Sequence, residues 1–141
     1  MKYNRSEIMK LAHEIRALNP SVTKSEALRD AWAVAKAQSN APAIPELKGS
    51  AKQVKWAGDI ISGGRRALVG ALRVDVRMMR GDIDICLALL RQYDAMTEKL
   101  GSAGQIIDRR ESFTASALLR RRDTLSDMRR AGKDISEYLA A

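Results

Sequence analysis

Apolar positions along this chain recur at helical rather than strand spacing. Ile8, Leu11, Ala12, Ile15 and Leu18 fall three or four residues apart, which places them on one face of an amphipathic helix. Asn4 stands at its N-cap with Glu7 three residues on, the spacing of a capping box, and Asn19-Pro20 stops the run. The same grammar then repeats. Thr23 with Glu26 opens a second helix whose stripe is Leu28, Ala31, Trp32 and Ala35. Two such helices with a loop of about four residues between them predict a helical hairpin, or a helix-turn-helix-like pair.

Residues 39–49, SNAPAIPELKG, hold two of the three prolines and lose the helical period. They are expected to link a hairpin module over residues 1–38 to a C-terminal bundle over residues 50–141, with Ile44 and Leu47 available to tie the linker down. Ser50 and Gln53 form a third capping-box pair, followed by Val54, Ala57 and Ile61, with Trp56 and Ile60 widening that face. Ser62-Gly63-Gly64 predicts a break, since each Gly costs a helix about 1 kcal/mol relative to Ala. The stripe resumes from Arg65 with Leu68, Val69, Leu72, Val76 and Met79. Gly81-Asp82 is either a short break or an interruption the helix tolerates, before Ile83, Cys86, Leu87, Leu90, Tyr93 and Leu100 carry the stripe onward. A turn over residues 101–104 leads into a last helical stretch with Ile106, Ile107, Phe113, Ala117, Leu118, Leu125 and Met128 inward and Gly132 at its C-cap. The closing DISEYLAA either docks Ile135 and Tyr138 or frays. No segment alternates like a strand. The expected fold is all-α, an N-terminal helical hairpin followed by a bundle of three or more helices.

Composition narrows the class further. Hydrophobic residues make up 45% of the 141, enough for a core, while aromatics at 4% weaken any case for a sheet protein. Cys86 is the single cysteine, so no intramolecular disulfide forms and a reducing cytoplasm is the expected location. The N-terminus lacks the apolar run of a signal peptide, and no stretch approaches the ~20 apolar residues of a membrane span.

Enzyme chemistry finds little to build on, and neither a catalytic residue, a cofactor nor a metal is expected. His13 is the lone histidine and sits opposite Ile8 and Leu11, while Cys86 falls on an apolar helical face, where a free cysteine acts as a small hydrophobe. A Cys86–His13 pair is formally conceivable, but the structural reading of both residues is preferred. Gly63-Gly64-Arg65-Arg66 could offer exposed amides to a phosphate, yet lacks the Gly-Lys-Ser/Thr of a P-loop. Asp75, Asp82 and Asp84 match no calcium-loop spacing and are expected to pair with Arg73, Arg77 and Arg80.

Arginine is the richest signal in a chain of net charge +8. Arg66, Arg73, Arg77 and Arg80 are spaced to line one helical face, with Arg65 beside them. Arg109 with Arg110, Arg120 with Arg121 and Arg122, and Arg129 with Arg130 repeat the theme near the C-terminus. A guanidinium fork suits phosphate or carboxylate because it binds two oxygens at once. A solvated face laced with ion pairs is the plain alternative, with Asp108, Glu111, Asp123 and Asp127 within reach. Lys24 and Arg29 sit where a DNA-reading helix would show its base contacts, although Thr23, Lys24 and Ser25 are also ordinary first-turn residues. Trp32 shares a stripe with Leu28 and reads as core. Trp56, flanked by Lys55, is a candidate partner-facing anchor.

The segments YNRSEIMKLAHEIR and SEALRDAWAVAKA resemble a short helical module of small proteins from phages and mobile elements. GSAKQVKWAGDI is similar to a second motif found with it, Gly-Ser-x-Lys-Gln-x-x-Trp-Ala, and IIDRRESF to the segment that tends to follow. The resemblance covers less than half of the chain and is more specific for lineage than for role. Some proteins in this setting inhibit host defence, anti-CRISPR proteins among them, so it implies a binding protein that occupies a host effector. The alternative from the residues themselves is direct DNA or RNA binding. Long amphipathic helices often form homodimers, although no heptad run here is clean enough to claim one.

Overall fold

In the computed structural model, which describes residues 3–140, seven α-helices and two 3-10 turns form an all-α fold with no strand among the described residues. The hairpin is α1 (Arg5–Leu18) and α2 (Lys24–Ser39), and it packs against a larger bundle. Local chemistry sets its ends: Asn4 accepts from the Glu7 amide and Thr23 from the Glu26 amide, each at 3.2 Å. Ile8, Leu11, Ala12 and Ile15 are buried as the spacing predicts, but Leu18, the last helical residue, is exposed. In α2 the buried line is Ala27, Ala31 and Val34, one register step from the predicted stripe. Leu28, Trp32 and Ala35 are only half-buried, and the Trp32 ring meets Tyr3 edge-on at 5.3 Å.

The bundle is organised around α3 (Ala51–Met78), 28 residues and about 42 Å long. Every other long helix packs on it: α1, α2, α4 (Ile83–Glu98) and α6 (Ala115–Arg130), together with the short α5 (Ala103–Asp108). Ser50 and Gln53 cap it with a reciprocal box, complete here alone among the described helices. Leu68 and Leu72 are fully buried at its centre, with Ile15, Ile85 and Ile106 against them from the surrounding helices in one continuous cluster. Each such side chain contributes roughly 1.5–3 kcal/mol.

The predicted break at Ser62-Gly63-Gly64 does not occur, and α3 runs through it. Gly64 is buried where Tyr93 of α4 and the Phe113 carbonyl approach the helix backbone. The Tyr93 hydroxyl donates to the Ile61 carbonyl at 2.6 Å. A small residue is needed there for contact, not for a turn, and packing outweighs the propensity cost of glycine.

Of the two alternatives at Gly81-Asp82, the structure has the break. A 3-10 turn at Arg80–Asp82 separates α3 from α4. The last helical stretch, read as continuous, is divided at Arg110–Phe113 by a second 3-10 turn, whose Phe113 is buried edge-on to Tyr93 at 6.0 Å. Gly132 takes φ +82°, and the Lys133 amide returns to the Met128 carbonyl at 3.0 Å, ending α6. The final turn α7 (Ser136–Leu139) buries neighbouring Ile135 and leaves Tyr138 largely exposed.

The Pro-rich segment after α2 is non-helical but held in place. Leu47 is buried, and Lys48 exchanges backbone bonds with Gly101 at 3.0 Å and Ala103 at 2.9 Å. Ile44 lies over Gly58 on α3 and remains partly exposed.

Candidate binding surface

Where the helices place the arginines separates structural ones from free ones. Arg65 is a cross-tie: it holds Asp94 on α4 with two bonds, at 2.8 and 3.1 Å, and reaches the Ala37 carbonyl at the end of α2. Arg80 binds Asp30 at 2.6 Å and approaches Glu26 at 3.9 Å, locking the turn after α3 to α2. Arg77 meets Glu14 at 3.5 Å, and Asn19 donates to the Arg77 carbonyl at 2.8 Å, which joins the α1 end to the α3 end.

The aspartates expected to pair with Arg73, Arg77 and Arg80 instead pair across the bundle. Asp75, fully buried, binds Arg122 of α6 at 2.9 Å and accepts from the Cys86 thiol at 2.9 Å. Arg122 also holds Asp123 at 2.9 Å. Asp82 takes a bond from Ser126 at 2.9 Å and lies 3.9 Å from Arg130. Asp84 is gripped by Arg129 at 2.6 and 3.0 Å. Spacing along one helix favours i,i+4 partners, but the turn at Arg80–Asp82 breaks that register and α6 lies within reach.

This seam tunes its own groups. Burial raises the Asp75 carboxyl above its usual range, opposed by the thiol bond and the Arg122 charge. Burial, with the Asp75 carboxylate beside it, pushes the Cys86 thiol far up. A thiol so stabilised in its protonated form is a poor nucleophile, and His13 lies exposed on α1 away from it. No group of three or more His, Cys, Asp or Glu side chains among the described residues is arranged to hold a metal. The Gly63-Gly64-Arg65-Arg66 amides lie inside α3 and serve its ladder, so the phosphate-loop reading fails.

What remains free forms a surface. Arg66 and Arg73 line a groove of about 410 Å³ between α3 and the segment after α2. Its floor is Val69 and Gly70, and its opposite wall Pro42 and Ile44. Gly70 follows Arg66 by four residues and precedes Arg73 by three, so the absent side chain opens the space between two guanidinium groups. Arg73 and Gln38 also border a second cavity of about 350 Å³ between α1 and α2. At that junction the Arg73 Nε is buried with no hydrogen-bond partner, the one such side-chain atom among the described residues. An unsatisfied buried donor costs roughly 1–3 kcal/mol, more when charged.

Trp56 stands on the same helix, about 15 Å along it from Arg66, and is 49% exposed. The Arg110 guanidinium lies over its ring at 5.7 Å from the centroid. Val74 and Met78 continue the exposed apolar contribution toward the far end of α3. Arg109, Arg120 and Arg121 are exposed on α6 and the turn before it, and Lys24 and Arg29 on the outer side of α2. The first turns of α2 also carry Glu26 and Asp30, which Arg80 neutralises only in part.

Spacing alone singled out Arg66, Arg73 and Trp56 but missed the groove's other wall. Pro42 and Ile44 lie in the linker, and Gly70 was a glycine inside an unbroken helical pattern, the one local sign of the opening. Comparison with protein-family models, with curated proteins and with solved structures finds no match for this chain. Among the described residues no helix is long and apolar enough to cross a membrane.

Proposed function

We propose that this protein is a non-catalytic binding protein of phage or mobile-element type that inhibits a host nucleic-acid-handling defence machine, anti-CRISPR-like, by seating the α3 groove on an acidic protein surface. The observation that carries the binding role is the α3 groove, where Arg66 stands exposed and without an ion pair beside Arg73 on an apolar floor. A partner's carboxylate can reach the Arg66 fork directly, since that side chain is exposed on the groove and makes no ion pair among the described residues. The groove mixes these cations with Val69, Pro42 and Ile44, and Trp56 with Arg110 stands further along the helix. Trp and Arg over apolar neighbours is the composition of protein-interface anchors. The host-defence assignment rests on the resemblance of the N-terminal and Trp56 motifs.

The competing reading is direct DNA or RNA binding, favoured by the exposed, unpaired Lys24, Arg29, Arg66, Arg109 and Arg120. Two measurements separate them. In bacteria carrying reconstituted CRISPR immunity, the protein should restore plating of a targeted phage, and Arg66→Glu with Arg73→Glu should abolish that protection while far-UV circular dichroism is unchanged. Fluorescence anisotropy with labelled duplex DNA and single-stranded RNA should show no tight binding. Failure to protect in every immunity type, with binding that falls about a thousandfold or more between about 50 and about 200 mM salt, would overturn the proposal for the nucleic-acid reading.

A further inference from the structure

The cavity between α4, α5 and α6 is chemically unlike the α3 groove. It measures about 340 Å³, and Leu89, Met96, Ile106, Phe113 and Leu118 give it an apolar lining. Tyr93 offers only its ring, because its hydroxyl is committed to the Ile61 carbonyl. Two exposed arginines, Arg109 and Arg121, complete the wall on the solvent side. Arg109 makes no ion pair among the described residues, and Arg121 reaches only the Gln92 side-chain oxygen at 3.5 Å, the outer limit of a hydrogen bond. No lining residue is acidic. Two guanidinium groups without a counter-charge therefore stand over an apolar chamber.

We propose that this cavity binds a small amphiphilic carboxylate, its apolar part among Leu89, Ile106 and Phe113 and its carboxylate held between Arg109 and Arg121. A pocket that is mostly apolar with a few convergent polar groups is the common form of a small-molecule site, and this volume sits at the lower end of the range. At about 30 Å³ for each water-sized group, the space of about 340 Å³ takes roughly eleven such groups, which corresponds to an acid of at most about nine carbons once the two oxygens are counted. The planar fork of each arginine matches the two carboxylate oxygens, and an uncharged ligand of the same shape would leave both unpaired. Ser112 and Gln105 add neutral polar groups to the wall. Neither arginine borders the α3 groove, so this site and the proposed partner surface stand or fall separately.

The test is a titration of the isotopically labelled full chain with sodium octanoate and with 3-phenylpropionate, followed by methyl and amide NMR, with 1-octanol as the neutral control. Saturable shifts at the Leu89, Ile106 and Leu118 methyls are expected at sub-millimolar concentration from at least one of the two acids. Arg109→Gln and Arg121→Gln should each weaken that acid about tenfold while leaving 1-octanol binding unchanged, the signature of charge-assisted recognition. Both positions are exposed, so the variants keep the fold. Absence of saturable shifts at these methyls from either acid at millimolar concentration would overturn the proposal. So would variants that bind the acid as tightly as the parent.

Discussion

Adjacent glycines in α3 are expected to respond to alanine with opposite signs. At Gly63 a Cβ would meet nothing within 4 Å, so Ala gains the helix propensity that Gly lacks, about 0.5–1 kcal/mol. At Gly64 the same atom would stand 2.7 Å from the Phe113 carbonyl oxygen and 3.1 Å from the Tyr93 ring, and closer still to the Tyr93 hydroxyl. The propensity gain remains, but overpacking costs about 1–3 kcal/mol. Displacing the Tyr93 hydroxyl from the Ile61 carbonyl leaves a buried donor unpaired, a further cost of about 1–3 kcal/mol. The net loss is about 2–4 kcal/mol. With an unfolding entropy near 0.3 kcal/mol/K for 141 residues, Gly64→Ala should lower the midpoint of thermal unfolding by about 7–13 °C. Gly63→Ala should raise it by about 2–3 °C. Circular dichroism melts of the two variants beside the parent decide the matter. Shifts of the same sign would refute the close approach of α4 and the Phe113 turn to α3, and with it the account of why this helix is unbroken.

Three further outcomes are expected. Arg73→Met keeps the aliphatic stem and removes the unpaired Nε, so it should stabilise the protein by about 1–2 kcal/mol while weakening partner binding; a lowered urea midpoint would count against an unsatisfied nitrogen there. The Arg129 hydrogen bonds hold the Asp84 carboxyl below its usual range, so this pair's stability is fully present above the unfolded carboxylate value, near pH 4, and is lost as pH falls through the lower folded value. The pair is largely solvated, so Asp84→Asn should remove less than about 1 kcal/mol of stability at pH 6 and nearly none at pH 2, read from urea midpoints. Cys86, buried and donating to Asp75, should resist iodoacetamide in the native protein and react only at the rate of unfolding; rapid labelling under native conditions would contradict its burial.

Much of the architecture was legible because it is written in short-range terms. Helical period, the caps at Asn4, Thr23 and Ser50 and the C-cap at Gly132 depend on residues within one or two turns of each other. The all-α class, the hairpin and the buried face of α1 follow from them. Local signals failed where a distant segment set the energy. Gly64 looked like a breaker because propensity cannot register that Tyr93 and Phe113 close on it from two other elements. Asp75, Asp82 and Asp84 seemed to belong with the arginines of α3, and only the crossing of α6 decided that Arg122, Arg129 and Arg130 would meet them.

The same division runs through the arginines. Sequence alone determined that the chain carries unusual positive charge in helical register, and it singled out Arg66, Arg73 and Trp56. It could not tell them from Arg65, Arg77, Arg80 and Arg122, which are identical in chemistry but are neutralised by Asp94, Glu14, Asp30 and Asp75. Tertiary structure decided which guanidinium groups tie helices together and which remain free, because a charge is structural or available according to what the fold brings within about 4 Å of it, and that distance is set by packing of the whole chain.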